Sequence, residues 1–141
     1  MKPLDFLSLT VPSYDKGNQR IVAIIRKHER AIAKLAKQGR FFTPVNRPKD
    51  FRLMAIKACY RNAIKLAVAG RAQYVEGYAM HDDGLEPVHH TWVTTDGINA
   101  IDVTWPKLGA VYFGVVFDTK ALTRILLERN GWTEPMLVGF I

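Results

Sequence analysis

At 141 residues, with 48% hydrophobic side chains and three Trp, the chain has apolar material for one core and not for two, so one domain over 1–141 is expected. A single Cys excludes an internal disulfide, and no run reaches the ~18–20 apolar residues of a membrane-spanning helix. Residues 1–15 lack the basic start and apolar run of a secretory signal, so the expected compartment is the cytoplasm, with no membrane partner.

Leu4 to Val11 forms a short apolar segment. Ile21, Ile24, Ile25, His28, Ile32, Leu35 and Ala36 then fall on one stripe, which predicts an amphipathic helix over about 17–38 that Gly39 stops. A loop over 40–50, marked by Pro44 and Pro48, leads to a second helix over 51–68. Asp50 is its expected N-cap, Phe51, Met54, Ala55, Ala58, Asn62 and Leu66 have helical spacing, and Ala69-Gly70 ends it. β-Branched and aromatic runs predict strands at about 72–80, 88–95, 99–105 and 110–117, with a turn at His81-Asp82-Asp83-Gly84. A last helix is expected over 119–130, from Asp118 as N-cap to a stop at Asn130-Gly131. The expected fold class is α+β, with helices packed on a four-stranded, mainly antiparallel sheet.

Cys59, His90 and Asp102 occur in the order and rough spacing of a thiol catalytic triad. A free thiol has a pKa near 8.5, so an imidazole is needed to take its proton, and a carboxylate to hold that imidazole in one tautomer. Asp96-Gly97 signals a hairpin between the strands carrying His90 and Asp102. A two-residue turn would place the two side chains on opposite faces. A three-residue loop, Asp96-Gly97-Ile98, pairs 92 with 102 and 90 with 104 and gives them a common face, so the triad reading requires that longer loop.

Cys59 in a helical segment, Tyr74-Val75-Glu76-Gly77-Tyr78, His90-Thr91-Trp92 and Ile101-Asp102-Val103-Thr104-Trp105 together resemble a minimal transglutaminase-like core of the papain-like cysteine superfamily, over about residues 52–118. The pattern that adds Cys59-Tyr60, Asn62-Ala63, His89-His90 and Tyr112-Phe113-Gly114-Val115 is also similar to small phage and bacterial proteins. The resemblance implies Cys59 as nucleophile, His90 as base and Asp102 as orienting acid. That family places a Gly or a turn just before its Cys, whereas Ile56-Lys57-Ala58 stand here. If the 51–68 helix runs unbroken through Cys59, its backbone donors are already used, and Asn62, one turn on, becomes the candidate oxyanion donor.

Other chemistry is weaker. Glu76 could be a polar pocket member, but an outward strand position suits it better, and Trp92 and Trp105 are packing residues or walls around the imidazole. His89 alternates in facing with His90 and is expected to be a hydrogen-bonded or exposed strand residue. Cys59, His81, His89 and His90 lack paired-ligand spacing and there is no phosphate-binding Gly loop, so neither a metal nor a cofactor is expected. Charge is uneven: the segment from Lys16 to Arg71 carries +13 and the remainder −6, within a net +7. Arg26, Lys27, Arg30, Lys34 and Lys37 form a basic face opposite the first apolar stripe, either a solvated helix surface or a contact for nucleic acid. The expected function is a thiol hydrolase cleaving an amide or isopeptide bond in a protein or peptide. The alternative is a non-catalytic binding or inhibitor protein, of the kind a phage encodes, that engages a host protein or nucleic acid in the host cytoplasm through the basic face.

Overall fold

The computed structural model describes residues 33–35, 37–82 and 87–129. The predicted segment at 4–11, residues 17–32 of the first helix, Asp83-Gly84 of the turn and the stop at 130–131 lie outside the described residues. Residues 33–35 and 37–38 are helical, and the Gly39 N–H closes that helix on the Leu35 carbonyl at 2.7 Å.

The segment expected to be a loop is instead a strand, β1 (Arg40–Val45). Its Pro44 and Pro48 hide the strand-forming run Arg40-Phe41-Phe42-Thr43. The Thr43 N–H reaches Ile98 on one side of β1, so the nitrogen of Pro44 points to the other side. There the pairing with the last strand has already ended at Phe42, so Pro44 removes no ladder bond.

Four further strands follow: β2 (Gln73–Met80), β3 (Val88–Thr94), β4 (Asn99–Ile101) and β5 (Val111–Phe117). They close with β1 into a barrel in the order β1-β4-β3-β2-β5. This overturns the expected α+β arrangement of helices on a four-stranded sheet. β1 pairs in parallel with β4 and antiparallel with β5, joining what would otherwise be the two free edges. Each strand gives at least one residue to the apolar cluster of Phe42, Val75, Ala79, Trp92, Ala100 and Tyr112, which is therefore the barrel interior. The alternate residues Tyr74, Tyr78, Val93 and Phe113 face outward and pack with residues of two helices, α1 (Cys59–Val68) and α2 (Thr119–Arg129). Gly77 pairs with Gly114 on one side and with His90 on the other, and a Cβ on Gly114 would stand 2.8 Å from the Trp92 ring.

The helix predicted over 51–68 begins only at Cys59. Phe51 and Met54 owe their burial to the core rather than to a helix: the Met54 N–H bonds the Val103 carbonyl at 2.7 Å, a long-range bond that stands in for a helical one. Asp50 accordingly caps nothing; its carbonyl accepts from the Arg71 guanidinium. A turn at 56–57, with Lys57 at φ 59°, swings the chain into α1. At the other end Gly70, at φ 73°, closes the helix as expected. The strand predicted over 99–105 stops at Ile101 because the Asp102 Oδ1 draws in the N–H groups of Thr104 and Trp105, both at 3.0 Å.

Candidate active site

Cys59 is the first residue of α1, and the first intrahelical bond runs from the Asn62 N–H to the Ala58 carbonyl at 2.9 Å. The N–H groups of Cys59, Tyr60 and Arg61 therefore have no acceptor within the helix. No side chain caps this end and no acid lies in its first turn, so its positive field acts on the thiol undiminished.

The hairpin register brings His90 and Asp102 together. Val93 pairs with Ile101, the register of the three-residue loop, with Gly97 at φ 75° and the Asp96 Oδ1 accepting from the Ile98 and Asn99 N–H groups at 2.8 Å each. His90 Nε2 lies 2.9 Å from Asp102 Oδ2 with both side chains buried. The same oxygen accepts from the Tyr112 hydroxyl at 2.6 Å, which in turn accepts from the Gly109 N–H at 2.9 Å. Asp102 is thus a four-donor carboxylate that can serve as an acceptor only. It assigns the Nε2–H tautomer to neutral His90 and leaves Nδ1 as the ring nitrogen available to a group in the cleft that His90 shares with Cys59.

The electrostatics follow from these contacts. Burial pushes the Cys59 thiol up, but hydrogen bonds from His90 and Thr91 and the His90 charge outweigh it, and the net shift is downward. Burial pulls His90 down, whereas its bonds to Asp102 and Cys59 raise it overall. Burial pushes Asp102 up, and His90, the Trp105 N–H and Tyr112 bring it below the ordinary carboxylate range. All three shifts favour a thiolate–imidazolium pair held by an ionised carboxylate.

Cys59 and His90 open into a cleft of about 320 Å³, lined also by Lys57, His81, His89 and Trp105. Trp105 stacks on His90, with ring centroids 4.0 Å apart. Asn62, expected as the oxyanion donor, is buried and both its N–H bonds are engaged, with the Ala55 carbonyl at 2.8 Å and Thr104 Oγ1 at 2.9 Å. It ties the turn before α1 to the segment after Asp102, which leaves the N–H groups at the start of α1, without acceptors in the helix, as the backbone donors beside the thiol. Trp92 is fully buried in the barrel, with its ring centroid 6.2 Å from that of His90, and does not line the cleft.

Glu76 also does not line the cleft. It is fully buried, accepts from the Tyr74 hydroxyl at 2.5 Å and pairs with His89 Nε2 at 3.1 Å, while His89 Nδ1 meets the Tyr60 hydroxyl at 2.5 Å. This second polar network fastens the helix residue after Cys59 to β2 and β3. Tyr112, Thr91 and Tyr60 fall inside the quoted sequence patterns, but the patterns assign them no role; the alternation that turns Tyr112 inward beside Gly114 is the one signal that marks it. Of the basic face, Arg26, Lys27 and Arg30 lie outside the described residues, Lys37 is exposed, and Lys34 is half-buried, which lowers its pKa.

Among the described residues no group of three or more His, Cys, Asp or Glu could hold a metal ion, and no helix is long and apolar enough to cross a membrane. Compared with known proteins, the chain matches no family model, no curated protein and no solved structure.

Proposed function

We propose that the protein is a thiol hydrolase of amide or isopeptide bonds, acting on a protein or peptide through a thioester acyl-enzyme. The observation that carries this reading is the single imidazole that lines one cleft with the Cys59 thiol and holds the Asp102 carboxylate at 2.9 Å. The Cys59 thiolate attacks the carbonyl carbon, forming the C–S bond, and the oxyanion points at the N–H groups opening α1. Collapse breaks the C–N bond while the His90 imidazolium protonates the leaving amine. Neutral His90 then takes a proton from water, the hydroxide attacks the thioester carbonyl, and C–S cleavage returns the thiolate and releases the acid. Asp102 keeps the ring oriented throughout.

The test is alkylation by iodoacetamide at pH 6, where an ordinary thiol is almost wholly protonated. Cys59 is expected to react at least tenfold faster than glutathione, and His90→Ala to abolish the advantage. Incubation with a peptide thioester should yield a Cys59 acyl adduct in the intact mass, absent in Cys59→Ser. Equal alkylation of the wild type and His90→Ala would remove the basis for this reading. A binding protein acting through its basic face would instead retain function in Cys59→Ser and lose it in a Lys34→Glu, Lys37→Glu double variant.

A further inference from the structure

Lys57 stands two residues before the nucleophile at φ 59°, and it is the one non-glycine residue with positive φ among the described residues. Glycine takes this conformation freely, whereas a side chain is opposed by its own Cβ, so a Lys here calls for a reason beyond the turn. The Lys57 side chain is exposed, lines the Cys59 cleft, and has no ion-pair partner among the described residues. None of the residues lining that cleft is an Asp or Glu. Arg61 and Lys65, both exposed and one turn apart, continue the positive charge along α1, which contains no acid. A cation of compact, mobile head and no internal partner, at the mouth of a cleft without acids, is suited to an anionic ligand.

We propose that the cleft selects acyl donors whose scissile carbonyl belongs to a residue with a carboxylate side chain, as in acidic peptides, with Lys57 as the specificity-determining cation. The inference rests on Cys59 being the attacking group. In this arrangement the substrate carboxylate lies against the Lys57 ammonium while its carbonyl reaches Sγ, and Arg61 and Lys65 draw acidic segments along the helix.

Iodoacetate and iodoacetamide test this directly, because they differ only in placing a carboxylate or a neutral amide one bond from the carbon that sulfur attacks. The readout is the ratio of their alkylation rates on Cys59, divided by the same ratio for glutathione. The wild-type ratio is expected to exceed one, and to fall about threefold to tenfold in Lys57→Gln, as loss of one unit charge a few ångströms away near a surface implies. Lys57→Gly, which suits the backbone conformation, should give the same fall with its folding intact. Raising NaCl to 0.5 M should bring the wild type toward both variants. Wild-type ratios in both variants would overturn the role of Lys57. The iodoacetamide rate alone reports thiol activation, so a failure of the hydrolase reading appears in that rate and a failure of this inference in the ratio.

Discussion

The indole of Trp105 lies face-on to the imidazole of His90, with ring centroids 4.0 Å apart and planes 18° from parallel. His81 stacks on the same indole at 3.7 Å and 23°. Two rings at these distances cannot share one face, so Trp105 is sandwiched between a buried imidazole and an exposed one. It forms the wall of the Cys59 cleft over one face of the His90 ring.

Trp105→Ala should therefore weaken the thiolate–imidazolium pair without removing any of its members. Alkylation of Cys59 at pH 6 is expected to slow roughly 3- to 10-fold, in keeping with the ~0.5–1.5 kcal/mol of a buried aromatic contact. An unchanged rate would show that water reaches the pair regardless of the indole.

Asp102 and Tyr112 separate orientation from hydrogen bonding. Asp102→Asn turns an amide N–H toward two donors in either orientation of the side chain, because both carboxylate oxygens accept two bonds each. A loss of about 3–5 kcal/mol is expected, together with loss of thiol activation. Tyr112→Phe removes one of those donors and strands the Gly109 N–H, for about 1–3 kcal/mol, with the pair still formed. Urea unfolding midpoints at constant m-value give the first quantity, and alkylation at pH 6 gives the second.

The stability of the fold should be greatest between the titrations of these groups. Asp102 is depressed in the folded state, so its contribution is present above its ordinary pKa near 3.9 and is lost as pH falls through the lower folded value. His90 is raised, so its contribution is full below its ordinary pKa near 6.5 and is lost as pH rises through the folded value. Thermal melts should show an acid limb that Asp102→Asn flattens. Because Cys59 is lowered in the folded state, it offsets the His90 limb up to the ordinary thiol pKa near 8.5, so the fall is expected above that pH and Cys59→Ser should move it toward neutrality. The exposed Asp96 should titrate at about 2 in carboxyl NMR, because the Asn99 and Ile98 N–H groups hold its anion.

Gly114 makes room for the barrel core. A Cβ there would stand 2.8 Å from both the Glu76 carbonyl and the Trp92 ring, so Gly114→Ala should destabilise by about 1–3 kcal/mol. Trp92→Phe in the same chain should recover part of that loss, measurable as a coupling in a double-mutant cycle. Strict additivity would place the strain on the backbone alone.

The meeting of His90 and Asp102 was legible, because it depends on short-range features: strand alternation and a loop whose length fixes register. The barrel was not, since closure depends on β1, where two prolines mask a strand and the missing N–H of Pro44 faces no partner. The start of α1 was misread for a related reason. Phe51 and Met54 have helical spacing, but their burial comes from the core they share with Val103, a contact 49 residues on from Met54 that no local pattern encodes. That error hid the turn that puts Cys59 at a helix terminus and made Asn62 look necessary as a donor. The network of Tyr60, His89 and Glu76 joins three elements and leaves no spacing to read.

Barrel closure also sets the order in which the molecule can assemble. β2 and β3 pair along seven positions through a short connection, whereas β4, which delivers Asp102, is held by one pair to β3 and by three to β1. The β1 contacts span more than fifty residues, and such long-range pairings come late because their loop-closure entropy must be met first. A refolding chain should thus acquire most of its sheet while its thiol still behaves as an ordinary one, and gain reactivity only as β1 docks. Cys59 is in this sense a chemical clock for the last step of folding.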